Sequence, residues 1–588
     1  MECGSDCPLS RRRFLGNCLA ASAALLLDLS LPLFTARPAV AAVLEEELGR
    51  FSGDLYFEQM HTELWGQEVA AGKSAGTVDP GIVDILIVGG GIAGLDAAYL
   101  LLQHPRVKES GAVVRLLETN DEPGGNAKEF AWRGIPYTNS AAYFYLFEPE
   151  HPIQKLYQSL GILDEAIVPG KADRESVLIG DRVWSAVFDL GRGDPREADE
   201  LRRASAFFSS LNGEDLYPEV PFQAEGPYSR EEFVRLDRTS LGQLLDRGGT
   251  LKAGVQVPSI PGLMREFIEN YCYSSFGCAA DRVSAWQGLN WFAAEFAEDG
   301  VAVLPGGNGR ITTRLREKIR ALDPDCLKMS LPVVDVAHDA RTGVNTVVAA
   351  ASRNPAVGSY LTYRARQVLL ACPLFVAGRL LQSELASDVR SRLKGLNYSA
   401  YVVCNALVES PVYADCWDTY CLDDCRLFGD SGEAFYRQKP FTDLVNAGWV
   451  VRKSLERSGR SPDLDRTVLT AYSPHPFQGQ REELLRDDYC ESLRGKVRRE
   501  LVRRLGPQGL KETDVADVRL ARWGHAMLCA NPGLISSGIL EELQRSVAAL
   551  GIFFAGAELL GAPTIENSHL TAMTAVEGLV EGLEGPPG

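Results

Sequence analysis

The 588-residue sequence lacks a lysine- or arginine-rich run beyond its N-terminal segment, and its formal net charge is −18. An acidic chain without a basic patch repels nucleic-acid phosphate, which excludes a nucleic-acid partner. Hydrophobic residues make up 45% of the chain and charged residues 23%. These proportions are ordinary for a globular protein and argue against a largely disordered or membrane-embedded one.

Metal-ligand patterns are also missing from the sequence. Among the 13 cysteines, Cys416, Cys421 and Cys425 cluster with the spacing C-x4-C-x3-C, which has no fourth ligand. This spacing fits neither zinc nor iron–sulfur patterns, so one disulfide or plain buried thiols are expected rather than a metal site. A C-x-x-C-H sequence for haem attachment is absent as well.

Long apolar runs are confined to the N-terminal segment. Ser10-Arg11-Arg12-Arg13-Phe14-Leu15 precedes an apolar run over residues 19–27, and Ala39-Val40-Ala41 offers the small residues that a signal peptidase reads. This order predicts a signal peptide, with an uncleaved N-terminal anchor as the alternative, although the run is shorter than the roughly 20 residues of a spanning helix. The arginine pair resembles the twin-arginine class. We therefore expect a periplasmic or secreted protein, soluble after cleavage and exported by the twin-arginine machinery.

Residues 83–118 have the order of a dinucleotide-binding unit. Residues 83–88 predict a buried strand, residues 95–102 a helix, and residues 112–117 a second strand that stops at Glu118. Strand, glycine turn, helix, strand and acid together form a complete βαβ unit of the Rossmann type.

The glycine turn of this unit predicts a phosphate-binding loop. Gly89, Gly91 and Gly94 supply G-x-G-x-x-G, with Gly90 inside the turn. The first glycine permits the tight turn, the second allows backbone to approach a pyrophosphate, and the third allows close contact of helix and strand. Glu118 would accept both ribose hydroxyls and repel a 2′-phosphate.

The segment after Glu118 carries a resemblance to a known superfamily. Pro123-Gly124-Gly125-Asn126-Ala127-Lys128 resembles the glycine pair that follows the ribose acid in the flavin amine oxidase and phytoene desaturase superfamily. The resemblance implies that backbone over Gly124, Gly125, Asn126 and Ala127 wraps the diphosphate and ribityl chain of FAD. Asn126 departs from the arginine more often found there, which removes one charge contact.

Three later segments resemble the same superfamily in the same order. Val334 lies in a strand, residues 333–336, whose backbone is implied to contact adenine, and Ala371-Cys372-Pro373 resembles the A-x-P step. Phe554-Ala555-Gly556-Ala557-Glu558 resembles F-A-G-x-E, in which Gly556 and Glu558 are implied to reach ribityl and phosphate groups. The helix after Thr564-Ile565-Glu566-Asn567 would direct its positive end at the flavin pyrimidine.

The implied fold class is α/β: a Rossmann-type FAD-binding domain assembled from discontinuous segments, with a second α+β substrate domain. The predicted segments are a signal peptide (1–41), a helical lead-in (42–82), FAD-binding parts (83–150, 301–384 and 536–588) and substrate-domain parts (151–300 and 385–535).

A narrower resemblance bears on the substrate. Residues 283–292 and 304–309 look similar to segments of bacterial spermidine-dehydrogenase-like flavoproteins. This implies an oxidoreductase that transfers a hydride from a small, polyamine-like amine to flavin N5. Two alternatives stay open: a desaturase or isomerase of a lipid or carotenoid-like substrate, and a non-catalytic flavin-carrying binding or assembly protein. The electron acceptor is open among oxygen, a quinone and a haem protein.

Aromatic side chains and one histidine are the candidates for the substrate site. Aromatic faces attract a cationic amine, and the candidates are Tyr143, Tyr145, Trp286, Trp291 and Trp523. His525 would orient substrate or take a proton. Tyr143, Trp523 and His525 are the predicted catalytic residues, and ordinary structural roles are the alternative for each. No lysine matches the one that amine oxidases use beside flavin N5, and no cysteine or histidine matches a covalent attachment site, so non-covalent FAD is implied.

Overall fold

Two large β-sheets contain most of the strands that the structure describes. The computed structural model describes residues 51–53, 77–170, 175–180, 182–184, 195–211, 216–224, 226–251, 254–258, 260, 262–295, 301–351, 360–381, 383–411, 416–423 and 432–583. The elements given below all lie within one unit, residues 48–588.

The strands, in chain order, are β1 Phe51–Gly53, β2 Thr77–Val88, β3 Val114–Leu117, β4 Glu129–Trp132, β5 Ile135–Thr138, β6 Tyr143–Tyr145, β7 Glu175–Ile179, β8 Arg182–Trp184, β9 Val301–Val303, β10 Leu327–Lys328, β11 Val333–Asp339, β12 Val344–Ala350, β13 Tyr360–Leu370, β14 Tyr398–Val408, β15 Asp418–Leu422, β16 Asp443–Asn446, β17 Thr467–His475, β18 Val515–Leu528 and β19 Ile552–Phe554.

The α-helices are α1 Ile92–Gln103, α2 Pro105–Ser110, α3 Pro152–Leu160, α4 Pro195–Ser210, α5 Arg230–Arg238, α6 Leu241–Arg247, α7 Gly262–Phe276, α8 Ala285–Glu295, α9 Gly309–Leu322, α10 Leu374–Leu380, α11 Ser387–Lys394, α12 Gly432–Gln438, α13 Ala447–Arg457, α14 Gln480–Glu483, α15 Asp487–Leu505, α16 Ile539–Ala548 and α17 Ile565–Glu581. Short 3₁₀ turns lie at Ala280–Arg282, Gly506–Gln508, Glu512–Asp514 and Ala557–Leu560.

The first large sheet has seven strands in the order β10-β3-β2-β13-β12-β11, with β19 paired to β13. Strand β2 pairs in parallel with β3 and β13, whereas β11, β12 and β13 are antiparallel. Alternate residues of β2 enter different cores: Ile85 and Ile87 pack on the side of α1 and α17, and Leu86 packs on the side of α10 and α16. Because both faces are covered by helices there, residues 85–88 at the end of β2 are all apolar and buried, as is typical of parallel strands in α/β proteins.

The second large sheet has eight strands in the order β1-β18-β14-β17-β16-β15-β7-β8. Its centre is antiparallel, with β14 between β17 and β18. Side chains alternate between two faces: Val402 and Cys404 pack against α15, whereas Tyr401 and Val403 face the other way, beside Trp523. That second face becomes one wall of the candidate site.

Two smaller features complete the layout. Strands β4 and β5 form a hairpin whose two-residue turn, Arg133-Gly134, has positive φ at both positions, the backbone that matches strand twist in tight hairpins. Helices α4 to α8 share an apolar core with large buried aromatic rings. Trp286 belongs to that core and packs edge-on against Tyr228 and Phe233, with ring centroids 5.1 and 5.0 Å apart.

Both sheets draw on separated stretches of the chain, and the predicted α/β fold class is confirmed. The segment boundaries themselves stay a prediction, with one difference to report. Residues 42–82, expected as a helical lead-in, contain strand at Phe51–Gly53 and again from Thr77 onward. Residue 51 pairs with Leu520 at the edge of the eight-stranded sheet, so tertiary pairing overrides a local helical preference there.

The described part of the chain contains no helix long and apolar enough to cross a membrane. The predicted signal peptide lies outside the described residues.

Candidate functional site

A cavity of about 540 Å³ is lined by residues from both large sheets. On one side are the loop ends of the seven-stranded sheet, including Gly89, Glu118 and Gly556. On the other is a face of the eight-stranded sheet, including Tyr401 and Trp523. A single concave site therefore joins the two halves of the fold, which is where ligand sites are usually found.

The turn after β2 is shaped by positions that exclude side chains. A Cβ on Gly89, whose φ is +110°, would lie 2.5 Å from the carbonyl oxygen of Ala371. A Cβ on Gly94 would lie 2.0 Å from the Gly89 oxygen, which explains the close packing of α1 on the turn. Gly94 is buried and lies outside the cavity lining, as its predicted packing role requires. Helix α1 begins at Ile92, so its positive N-terminal end borders the cavity.

Glu118 is held beside this turn by three hydrogen bonds. Its Oε2 accepts from the Gly90 N–H at 2.7 Å. Its Oε1 accepts from the backbone N–H and the side-chain Nδ2 of Asn120, at 2.7 and 2.8 Å. The carboxylate is only 6% exposed. The structure thus brings the predicted acid and the predicted glycine turn together, and Asn120 is a supporting residue that sequence reasoning missed.

The loop over Gly124–Ala127 closes against the same turn. The Gly124 N–H donates to the Gly90 carbonyl at 2.7 Å, and Gly125 approaches Gly91 so closely that a Cβ on Gly125 would lie 3.0 Å from the Gly91 Cα. Asn126 Nδ2 donates to the carbonyl of Ala526 at 2.9 Å. This side chain therefore ties the loop to β18.

The C-terminal segment supplies Gly556 and Glu558 to the cavity lining. The Glu558 carboxylate accepts from the Leu374 N–H, at the start of α10, and from the Tyr398 hydroxyl, both at 2.7 Å. Burial raises the pKa of Glu558 to about 7. Helix α17 starts next to this segment, where Thr564 caps it by accepting from the Asn567 N–H.

Val334 is a predicted site residue that the structure places away from the cavity. Its side chain packs with Val348 and Ala350, whereas its neighbour Val333 lines the cavity. Successive side chains of a strand point to opposite faces, so the Val334 side chain does not face the cavity, and the implied contact of the strand backbone with adenine stays a prediction.

The wall from the eight-stranded sheet is aromatic and acidic. In register, Tyr420 lies opposite Asp443, Asp443 lies opposite Tyr472, and Tyr401 lies opposite Trp523. The residues of this face that line the cavity are Tyr401, Val403, Asp418, Tyr420, Asp443, Val445, Tyr472 and Trp523.

Asp418 and Asp443 are buried carboxylates in this wall, 4% and 2% exposed. Thr442 Oγ1 donates to Asp443 Oδ1 at 2.6 Å. Asp418 Oδ1 has no hydrogen-bond partner among the residues described. Burial raises the pKa of Asp443 to about 7, and burial together with the Asp443 charge raises the pKa of Asp418 well above its usual range. Sequence reasoning missed both residues.

Tyr143, a predicted catalytic residue, belongs to a buried tyrosine group. Its hydroxyl shares a 3.0 Å hydrogen bond with the Tyr271 hydroxyl, to which Trp291 Nε1 also donates, at 3.1 Å. Tyr145 beside it donates to Glu295 Oε2 at 2.9 Å. Burial holds the pKa of Tyr143 well above its usual value, so its phenol is neutral and serves as a rigid polar wall.

Trp523 and His525, the other predicted catalytic residues, also line the cavity. Trp523 Nε1 donates to the Asn139 carbonyl at 3.0 Å, which fixes its ring. The His525 ring stacks on Phe375 with centroids 4.2 Å apart and meets Tyr398 edge-on at 5.7 Å. Trp291 and Tyr145 line the cavity as well, whereas Trp286 is a core residue.

Two of the three clustered cysteines lie in the part of the chain that the structure describes. Cys416 and Cys421 are buried free thiols, and Cys425 lies outside the described residues. No group of three or more histidine, cysteine, aspartate or glutamate side chains that could hold a metal ion is found in the described part of the chain.

Comparison with known proteins agrees with this architecture. Residues 87–160 match the family model of an NAD(P)-binding Rossmann-like domain. Wild-type putrescine oxidase bound to putrescine superposes with a TM-score of 0.57 at 15% identity, over 86% of this chain and 100% of that one. Cyclohexylamine oxidase from Brevibacterium oxydans IH-35A gives 0.57 at 17% identity, over 86% and 100%.

A candidate protoporphyrinogen oxidase from Exiguobacterium sp. 255-15 superposes with a TM-score of 0.55 at 16% identity, over 85% of this chain and 100% of that one. No curated protein sequence matches the chain. The predicted resemblance to flavin amine oxidases is thereby confirmed at the level of the fold.

Proposed function

We propose that the protein is an exported, FAD-dependent oxidoreductase that oxidises a polyamine-like amine. One observation carries the proposal: a single cavity joins a glycine-built cradle for a dinucleotide to a wall in which two buried carboxylates lie among aromatic rings. The shared fold with putrescine oxidase and cyclohexylamine oxidase supports the same conclusion.

The residues present fit FAD. The glycine turn and the N-terminal end of α1 would hold its phosphates, and Glu118 would hold the adenosine ribose. Two buried polar atoms of the cavity lining, Asn308 Oδ1 and Ser140 Oγ, have no hydrogen-bond partner among the described residues. Buried polar atoms are ordinarily paired, so a ligand that donates and accepts hydrogen bonds suits this lining. When bound, FAD supplies the acceptor for a hydride from the substrate C–H bond.

We propose that FAD is held without a covalent bond. Cys372 is the cysteine that lines the described cavity. Burial raises the pKa of its thiol to about 12. Because the thiolate is the reactive form of cysteine, such a thiol is a poor nucleophile at neutral pH.

The charge of the lining favours an amine over a polyene or another lipid-like substrate. The lining carries five carboxylates and one lysine: Glu118, Asp418, Asp443, Glu558 and Glu566 against Lys128. An apolar substrate would leave the carboxylates of the aromatic wall without a compensating cation, which is unfavourable for buried charged groups. A cation compensates them, and the surrounding aromatic faces attract it further.

The residues of the chain have separable roles in this proposal. Trp523 and Tyr401 form a fixed aromatic wall that excludes water from the reacting carbon. His525, beside that wall, orients the substrate or takes the proton that the ammonium must lose. The electrons pass on to oxygen, a quinone or a haem protein.

An absorbance spectrum and an anaerobic titration test the proposal. We expect a flavin band in the purified protein and bleaching of that band by amines such as spermidine. A folded protein without a flavin band contradicts the proposal, and bleaching by apolar polyenes alone favours a desaturase or isomerase. Bound flavin that no amine, amino acid or polyene reduces, in a protein that co-purifies with a partner, favours the binding or assembly protein.

A further inference from the structure

Strands β15 and β16 bring two acidic side chains to one face of the eight-stranded sheet. Asp418 lies opposite Val445, and Asp443 precedes Val445 by two residues, so the two aspartates are diagonal neighbours on the same face. Diagonal neighbours of this kind are separated by roughly 7 Å. We propose that Asp418 and Asp443 form the anchoring subsite for a second, non-reacting ammonium group of the substrate, which is therefore a diamine or polyamine.

The first argument for the subsite is an unmet charge. Asp418 is 96% buried and lines the cavity, yet its Oδ1 has no hydrogen-bond partner in the described part of the chain. Asp443 accepts hydrogen bonds from the Thr442 and Ser274 hydroxyls, and within the described part of the chain it forms no salt bridge. Taking two carboxylates out of water is costly unless a positive group joins them. An ammonium group entering from the cavity is such a group.

Lys439, whose charge reaches Asp443, already has other partners. Lys439 lies close enough to lower the pKa of Asp443 through its charge. Its Nζ donates to the Cys421 carbonyl at 2.6 Å and to Asn270 Oδ1 at 3.2 Å, and it pairs with Asp423 at 3.2 Å. Lys439 is also absent from the cavity lining. On the other side, the charge of Glu295 raises the pKa of Asp418, which adds to the negative field.

Aromatic rings surround the aspartate pair. Tyr420 and Tyr472 lie directly opposite Asp443 on its two neighbouring strands. The rings of Tyr143 and Trp417 meet at a 70° angle with centroids 5.8 Å apart, on the strands and loops beside Asp418. Aromatic faces with carboxylates attract alkylammonium groups by charge and by cation–π interaction. A metal ion is a poorer fit, because the described residues bring no third metal-ligating side chain to the pair.

Asp418 and Asp443 lie on the side of the cavity away from the dinucleotide cradle, so the nitrogen that they hold is not the one next to the reacting carbon. The dinucleotide cradle is built from loops of the seven-stranded sheet, whereas the aspartates belong to the wall from the eight-stranded sheet. A carbon that reacts at the flavin lies on the cradle side. The nitrogen held by Asp418 and Asp443 is then a different one, so a monoamine of equal length cannot use this subsite. This inference rests on the proposed amine-oxidising function.

Matched substrates test the inference. The flavin-loaded enzyme would be reduced with 1,4-diaminobutane and with butylamine, which share the same carbon chain. Asp418→Asn and Asp443→Asn should each raise KM for the diamine about 30-fold or more, the size expected for removing one member of a buried charge pair. KM for butylamine should change by less than about 3-fold. Asp465→Asn, an exposed acid beside β17 with 77% of its side chain accessible, is the control and should change neither value.

A binding measurement separates this inference from the proposed function. Calorimetric titration of the flavin-loaded protein with 1,4-diaminobutane should show binding. Both asparagine variants should bind the diamine more weakly, and Asp443→Glu, which keeps the carboxylate, should bind it with intermediate affinity. This result supports the subsite even if no amine reduces the flavin, an outcome that would end the proposed function alone. Equal affinity for butylamine and diamine, or equal losses for both ligands in the variants, would overturn the subsite. Flavin content and Tm confirm that each variant is folded, and if one asparagine variant does not fold, the other carries the test.

Discussion

The Gly90 N–H donates a 2.7 Å hydrogen bond to Glu118, so the acid that ends β3 holds the turn that ends β2. The same carboxylate is positioned by Asn120 from the opposite side. One side chain therefore shapes the cradle and presents an acceptor to a ribose. Both functions depend on a carboxylate at this position.

Replacing Glu118 with alanine should weaken FAD binding about 100-fold, because a charged acceptor of hydrogen bonds contributes roughly 1.5–3 kcal/mol and the turn loses its support as well. The ratio of flavin to protein absorbance after dialysis measures the effect. Glu109→Gln, at an exposed position of α2, is the control. Full flavin retention by the alanine variant would show that Glu118 does not contact the cofactor.

Alanine at Gly94 should destabilise the protein by about 3 kcal/mol, the upper range for overpacking. The added Cβ would lie 2.0 Å from the Gly89 carbonyl oxygen, and backbone cannot move aside cheaply. Gly506→Ala is a matched control, because its Cβ would meet nothing within 4 Å and its φ is −56°. Denaturant unfolding of both variants makes the comparison. If both lose the same stability, the close contact between α1 and the turn is not the cause.

The glycine turn and Glu118 also show what can be predicted from the sequence. Close approach of backbone to backbone permits glycine alone, and at Gly94 and Gly125 the backbone approached, Gly89 and Gly91, belongs to the same glycine turn. Local spacing therefore carries the information. Glu118 is predictable for the same reason, since the strand that it ends is next to β2 both in sequence and in the sheet.

The aspartate pair could not be predicted in this way. Asp418 and Asp443 are separated by 24 residues, and only the register of β15 against β16 makes them neighbours. A one-position change of register would move either side chain to the other face of the sheet. Trp286 shows a similar limit for aromatic residues. It is a sequence-based candidate for the substrate site but lies in the core of helices α4 to α8, because a large ring packs in a core as well as in a binding site.

Export can be tested through the arginine pair. We predict that Arg11→Lys combined with Arg12→Lys retains the flavin-loaded protein in the cytoplasm, because the twin-arginine signal is an address that a receptor reads. Cell fractionation followed by immunoblotting measures the distribution. Arg13→Lys is the control, since it leaves the pair intact and conserves charge. Equal amounts of processed protein outside the cytoplasm for both forms would contradict the twin-arginine assignment.

The anchoring subsite should make diamine binding depend on pH. Burial raises the pKa of Asp443 to about 7, so this carboxyl is mostly neutral below pH 7 and charged above it. A neutral carboxyl attracts an ammonium group weakly, so KM for 1,4-diaminobutane should fall as the pH rises from 6 to 8, by up to about tenfold for one proton released. Butylamine, which has no second ammonium group for the subsite, should lack this dependence over the same range. Asp443→Asn should remove the difference between the two amines, because an amide does not titrate. A diamine profile that keeps its slope in the variant would assign the titration to another group.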